Sequence, residues 1–490
     1  MGKTLSAELS SGWNAYAAPH ADLREALLRI ESSGELQRIR GASWDLEMGT
    51  LAEIVYRQPN PPALLFEDIP GYPRDFRAVS GTTNSMRRLA IVLGFPVPSH
   101  PLDVVRAYRD RMKTHRPIPP RVVTQGPILE NVVSGAEIDV LKFPAPRLHE
   151  HDGGRYLGTD DLVIMRDPEE NWVNCGTYRS MVQGRDRVGL WMSPGKHGRQ
   201  IREKYFRQGK PCPVLISLGH DPLLFLAGGN EIRFGLSEYD YAAGHRGLPY
   251  DVIESEVYRL PMPAHAEIVL EGVMHPGETM AEGPFGEFTG YYAGGRSEQP
   301  VVRVERIYHR REPILSLACP MVPPSDFSYS KCVMKAGMIW DEVERAGLSG
   351  VQGVWVHEAG CARMFNVIAI RQAYAGHAKQ AALLAASCQS GSYLGRFVVV
   401  VDDDVDPTNL DEVIWAMCTR CDPAEDIDVV RRAWSGPLDP RLPKGTTWNS
   451  RGLIDACRPY EMLGEFPPVV KASPELREQV LRKFKDQLKA

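Results

Sequence analysis

Ala266-Glu-Ile-Val-Leu-Glu-Gly272 and, farther on, Glu282-Gly-Pro-Phe-Gly-Glu287-Phe-Thr-Gly-Tyr291 form the stretch from which fold and chemistry can both be read. The first part alternates apolar and polar residues with the period of a half-buried strand. The second sets two carboxylates five positions apart across a glycine-proline turn. Residues at that spacing face opposite sides of a straight strand and are not close neighbours on a helix. Gly283 and Gly286 open backbone angles closed to other residues, and Pro284 fixes one dihedral, so the segment can fold back with both acids on one surface. Paired acids have their pKa values pushed apart, and a nearby arginine would restrain that. Such a set can hold and deliver one proton. Phe285, Phe288, Tyr291 and Tyr292 predict an aromatic, partly desolvated setting. A solvated surface hairpin is the plainer alternative for two glutamates taken alone.

Working outward, short strands separated by glycine-rich or charged turns are expected from about 120 to 320: Asp161-Leu-Val-Ile-Met, Trp172-Val-Asn-Cys, Gly189-Leu-Trp-Met, Pro213-Val-Leu-Ile-Ser, Glu267-Ile-Val-Leu and Pro313-Ile-Leu-Ser-Leu. With one helix near 198 to 208, they predict an antiparallel sheet or barrel. Upstream, Leu23, Leu27 and Ile30 mark a helix, Pro62-Ala-Leu-Leu-Phe a buried strand, and Leu102 to His115 a second helix before a proline-rich linker. Downstream, helices at Lys331–Ala346 and His377–Ser390 alternate with strands at Val351–Val356 and Val367–Ile370. Arg396-Phe-Val-Val-Val-Val-Asp is nearly continuous in apolar residues, as in a strand covered on both faces. Leu476, Val480, Phe484 and Leu488 follow a Ser-Pro helix start and predict a terminal amphipathic helix that docks on its own core or on another subunit. The expected class is α/β in the multidomain α+β sense: an N-terminal α/β segment (1–118), a central antiparallel β domain (119–322) and a C-terminal layered α/β domain (323–490).

A chain of 490 residues with 43% hydrophobic content can build two or three cores. Its formal net charge of -5 and the absence of dense basic runs argue against nucleic acid. No stretch approaches a membrane span, and Met-Gly-Lys-Thr-Leu-Ser lacks the apolar core of a secretory signal, so the cytoplasm is expected. Nine scattered cysteines do not resemble a disulfide framework. Cys418-Thr-Arg-Cys421 has no second pair to complete a zinc site.

Upstream of the acids, Asn174-Cys-Gly-Thr-Tyr-Arg179 repeats the spacing of five. Pro194-Gly-Lys196-His197 opens a helix whose free N–H groups favour an anion, and Gly235-Leu-Ser-Glu238 adds a carboxylate. An amide oxygen, an imidazole and a carboxylate suit manganese, magnesium or iron, with positions left for water or a phosphate.

Together these residues resemble the UbiD-type decarboxylases, which use prenylated FMN to interconvert unsaturated or aromatic acids and carbon dioxide. The resemblance extends to Val401-Asp-Asp-Asp-Val-Asp-Pro407 and Ser450-Arg-Gly-Leu-Ile-Asp-Ala456. It implies a split-barrel-like, flavin-binding central domain, and a catalytic set of Arg179, Glu282 and Glu287 in which Glu287 delivers the proton that replaces carbon dioxide. It implies that Asn174, His197 and Glu238 hold Mn2+, or another divalent cation such as Mg2+ or Fe2+, against the flavin phosphate, with K+ close by. Arg179, Lys196 and Arg451 would also bind the cofactor, Lys196 lining the substrate pocket as well and Arg451 standing where relatives often carry lysine. The implied partners are a small aromatic or heteroaromatic acid, a flavin prenyltransferase that supplies the cofactor, and further copies of the chain in a homodimer or homohexamer. Two other readings stay open from the residues alone: a flavin-independent metal-dependent lyase or hydrolase, and a non-enzymatic flavin-binding module.

Overall fold

A computed structural model describes residues 19–230, 232–326, 328–443, 445–485 and 487–488. The reading of the first six residues as lacking a signal therefore lies outside the described residues.

The N-terminal layer begins with the helix Leu23–Ser32, started by Asp22, whose side chain accepts the N–H of Glu25. Leu23, Leu27 and Ile30 share one face and are buried against Ala63, Leu65, Val79 and Ile314. Each such side chain contributes roughly 1.5–3 kcal/mol on burial. The sheet beneath runs Leu36–Arg40, Ala63–Glu67, Arg77–Ser80 and Ile314–Leu317. Its last strand was expected in the central sheet but pairs in parallel with Arg77–Ser80. An apolar run carries no mark of which sheet it will join, so only the long-range pairing could decide this.

Nine strands form the central sheet, with the antiparallel order Tyr156–Gly158, Ser180–Val182, Arg187–Leu190, Ser297–His309, Ile268–Glu282, Cys212–Leu218, Asp161–Arg166 and Val173–Gly176; Asn131–Ser134 pairs with Ser297–His309. The decisive strand is longer than its alternating stretch, reaching Glu282 through an irregularity between Met274 and Thr279 that absorbs Pro276 and Gly277. Trp191 and Met192 lie beyond their strand rather than within it. Besides the expected helix His197–Arg207, two short helices that the sequence reading missed, Pro222–Gly228 and Glu238–Arg246, pack nearby.

In the C-terminal domain the strands Val351–Val356, Phe365–Ile370, Phe397–Asp402, Trp448–Ala456 and Ile427–Trp434 lie side by side in that order. Val398 and Val400 enter one core and Val399 and Val401 another, so the central strand is covered on both faces. The second helix stops at Ser387, earlier than expected, and a separate one-turn helix, Gln389–Ser392, follows. The terminal helix Pro474–Phe484 leaves Leu476, Val480 and Leu481 exposed, and Leu488 lies past its end. All nine cysteines are free thiols. Among the described residues, no helix is long and apolar enough to cross a membrane.

Candidate active site

The strand Ile268–Glu282 delivers Glu282 to the sheet end, and the chain then turns at Gly283 with φ +85°. A side chain there would also overlap the carbonyl of Gly295, so glycine is required twice over. The turn brings Glu287 back beside Glu282, and Arg179, just before the strand Ser180–Val182, reaches both. Its Nε and Nη2 donate to the two oxygens of Glu282 at 2.8 Å each, while Nη1 donates to Glu287. A two-pronged contact of this kind uses the planar guanidinium fork. Tyr156 adds an O–H to Glu282 Oε1 at 2.9 Å. Glu282 is 0% exposed and Glu287 7%.

One guanidinium cannot neutralise two ionised acids, and burial makes the surplus charge costly. The two carboxylates are not equivalent, since Glu282 receives three donors and Glu287 one. Burial pushes Glu287 up to about 7, against the Arg179 charge and with the repulsion of Glu282. Burial alone would lower Arg179, but the hydrogen bonds and charge of the two glutamates raise it. Such an arrangement can hold one proton on the loop residue, Glu287.

The aromatic surroundings differ from expectation. Phe285 is buried against Tyr156 at 4.4 Å, and Arg179 lies over Trp191 at 4.3 Å and over Phe285 at 5.2 Å. Tyr291 is 62% exposed and does not wall in the acids. Phe288 turns toward the C-terminal domain, where Arg363 stacks on it at 5.5 Å and on Tyr393 at 5.9 Å. Tyr156 and Trp191, which complete the setting, were not singled out in the sequence because nothing local marks their approach.

Asn174 lies in Val173–Gly176, on which the helices His197–Arg207 and Glu238–Arg246 both pack. Glu238 opens its helix, behind Ser237, and its carboxylate accepts from Asn174 Nδ2 at 2.9 Å and from the Cys175 N–H at 2.6 Å. Burial pushes Glu238 up to about 8 against those donors and the charge of Lys196. His197 opens the other helix, with Lys196 at its N-cap. The His197 ring meets Trp172 and Phe234 edge-on at 5.6 and 5.5 Å. Burial, then Lys196, lowers the His197 pKa, which favours the neutral, ligating imidazole. The structure thus joins Asn174 directly to Glu238 and brings His197 to the same strand through its helix and Trp172.

Asn174 Oδ1 is buried without a hydrogen-bond partner. A buried acceptor left bare is costly, and a cation would satisfy it. The donor set of amide oxygen, carboxylate and imidazole therefore fits a divalent ion that also takes oxygen ligands from a bound molecule. Among the described residues, no three His, Cys, Asp or Glu side chains cluster as a metal site by themselves.

Arg451 is not brought to either group. It sits in Trp448–Ala456, 1% exposed, and donates to Asn449 Oδ1 at 2.6 Å and to the carbonyls of Ser392 and Trp434. Burial lowers it to about 10, with repulsion from Arg396. The acidic run 401–407 is likewise engaged, Asp402 and Asp404 with Arg420 at 3.0 and 2.9 Å.

Residues 27–108, 121–323 and 328–456 match, in turn, the N-terminal, Rift-related and C-terminal domains of the family described as 3-octaprenyl-4-hydroxybenzoate carboxy-lyase, UbiD. The chain is 32% identical over 463 residues to the pyrrole-2-carboxylic acid decarboxylase of Pseudomonas aeruginosa, covering 91% of this chain and 92% of that protein. The vanillic acid decarboxylase of Sedimentibacter hydroxybenzoicus in open form superposes with TM-score 0.85 at 29% identity, over 96% of this chain and 100% of that one. The UbiD-class enzyme HmfF of Pelotomaculum thermopropionicum, in complex with FMN, gives 0.83 at 30% identity, over 94% and 100%. An evolved dimeric form of HmfF in complex with prFMN gives 0.79 at 28%, over 96% and 99%.

Proposed function

The chain belongs to the UbiD family of carboxy-lyases, and from that premise we propose that it catalyses the reversible, non-oxidative decarboxylation of an aromatic or heteroaromatic carboxylic acid with prenylated FMN. The single observation that carries this reading is the buried trio in which Arg179 bridges Glu282 and Glu287. Relatives named as decarboxylases of pyrrole-2-carboxylic and phenolic acids support a planar acid as substrate.

The bound flavin supplies the electron sink for the reaction. The chain's own residues supply position, charge and a proton. Arg179 orients the substrate carboxylate and, held by Glu282, keeps its guanidinium beside Glu287. When the bond between the ring carbon and the carboxylate breaks, the electron pair stays with the carbon, carbon dioxide leaves, and Glu287 gives its proton to that carbon. Solvent then reprotonates Glu287. A positioned acid of this kind contributes about 10²–10⁴-fold. Asn174, His197 and Glu238 would hold Mn2+ or a similar divalent ion against the flavin phosphate, with K+ near them and Lys196 adding positive charge at the helix start. Residue 451 is too firmly tied within the C-terminal domain to be assigned to the cofactor.

Nine free thiols fit a reducing compartment such as the cytoplasm. A homo-oligomer is supported by the edge strand Ile427–Trp434, where Val429 is 55% and Trp434 51% exposed, together with the apolar residues of the terminal helix.

The test is purification from cells that also express a flavin prenyltransferase, an absorbance spectrum, and turnover of a panel of aromatic acids. A modified-flavin spectrum with carbon dioxide release is expected, and Glu287→Gln should keep the flavin and lose turnover by about 10²–10⁴-fold. Full turnover by Glu287→Gln, or turnover without flavin, would refute the assignment.

A further inference from the structure

The turn at 148–154 grips the loop carrying Glu287 at points on both sides of that residue. The Gly153 N–H donates to the Pro284 carbonyl at 2.7 Å, and the Gly286 N–H donates to Asp152 Oδ1 at 3.0 Å. Past Glu287, the His151 N–H donates to the Tyr292 hydroxyl at 3.3 Å. The contact is close enough to exclude side chains. A Cβ at Gly153 would overlap the carbonyl of Gly283, and one at Gly286 would come within 2.7 Å of the His149 ring. The turn is itself braced, because His149 Nε2 donates to the Pro320 carbonyl at 2.7 Å and the His149 N–H donates to Asp152 Oδ2 at 3.0 Å.

We propose that Asp152 is a positioning residue for the proton donor: its carboxylate fixes the backbone of the loop that carries Glu287 and presents a fixed negative charge to that side chain. The inference rests on the reading of Glu287 as the acid. Asp152 is 6% exposed and burial raises its pKa, while the backbone N–H that each of its oxygens accepts favours the ionised carboxylate. The charged and titratable groups that face it are His149 and Arg147 from its own turn, Glu287 and Tyr292 from the acid loop, Tyr156 from the adjoining strand and Cys319. Arg147 is paired with Asp45 at 2.7 Å, and His149 turns its ring N–H to Pro320. Their charges offset part of that of Asp152, and the remainder favours the protonated form of Glu287 in the same sense as Glu282.

Asp152→Asn separates the two roles, because it keeps an acceptor for the Gly286 N–H and removes the charge. Infrared difference titration of cofactor-free protein, with Glu287→Gln as the blank, reads the Glu287 carboxyl directly. In Asp152→Asn the midpoint should move lower, with a melting temperature somewhat reduced because the His149 N–H loses its acceptor. The loss of turnover at high pH should begin lower by the same amount, with KM unchanged. Asp152→Ala should lower kcat by about 10²-fold through loop misplacement, and Asp152→Glu should recover part of it. An Asn variant whose midpoint matches wild type would overturn the proposal, even if the wild-type enzyme decarboxylates as expected. A shifted midpoint in a protein that turns over no acid would uphold the coupling and instead refute the assigned reaction.

Discussion

Asn174 and Arg179 stand five residues apart on one strand and its turn, and their surroundings are opposites. Arg179 has one N–H of each arm taken by carboxylates of the same chain, so that end is charge-paired by the protein itself while the second N–H of each Nη can meet a substrate carboxylate. Asn174 gives its N–H to Glu238 but its buried oxygen meets no donor. A self-satisfied cluster is complete before anything binds, whereas a cluster short of one partner is shaped for a group that arrives later. On the proposed function, the first serves the chemistry and the second would retain the cofactor.

Breaking the charge-paired end should have the largest effect. Arg179→Ala leaves Glu282 and Glu287 buried without their cation, which costs about 3–5 kcal/mol. A drop in melting temperature together with undetectable turnover is expected. Arg179→Lys should recover stability better than activity, because the ammonium restores charge but not the fork. Turnover in Arg179→Ala within about tenfold of wild type would show that the bridge is structural, since catalytic proton transfer alone is worth more than that.

At the open end a mutation should spare the fold. Glu238→Gln keeps one acceptor for its neighbours and deletes the charge that a divalent ion needs. Metal per subunit, measured by elemental analysis after purification, should fall close to zero, with flavin content falling alongside, while the metal-free protein melts as wild type does. A variant that keeps its metal would break the contrast between the two ends.

The same contrast explains what could be read from residues alone. Helix periodicity at Leu23, Leu27 and Ile30 and the valine run at 398–401 reflect local burial, and both take the expected places. Ile314–Leu317 reflects a choice between two sheets, made by the partner Arg77–Ser80 hundreds of residues away. In the site, the spacing of Glu282 and Glu287 around Gly283 forecast a reunion that the structure shows. Asp152-Gly-Gly-Arg-Tyr156 carries a glycine signal of its own, but a turn's partner cannot be read from the turn. Arg451 was placed by analogy with a lysine, and its larger fork finds three acceptors inside its own domain instead.

The smallest effect is expected where the C-terminal domain touches the acid loop. Arg363 follows Cys361 and Ala362, both at positive φ (56° and 54°), an unusual pair of left-handed residues outside glycine. That turn delivers the guanidinium between Phe288, adjacent to Glu287, and Tyr393. Half-exposed cation–π contacts contribute about 0.5–1 kcal/mol, so Arg363→Ala should alter kcat/KM by only about two- to fivefold. The sign carries information that the size does not. If the contact steadies the loop, kcat falls with KM unchanged; if it only joins the domains, KM rises and kcat stays. A loss as large as that of Arg179→Ala would move Arg363 from the rim to the chemistry, and the charge-paired end would then have to be redrawn to include it.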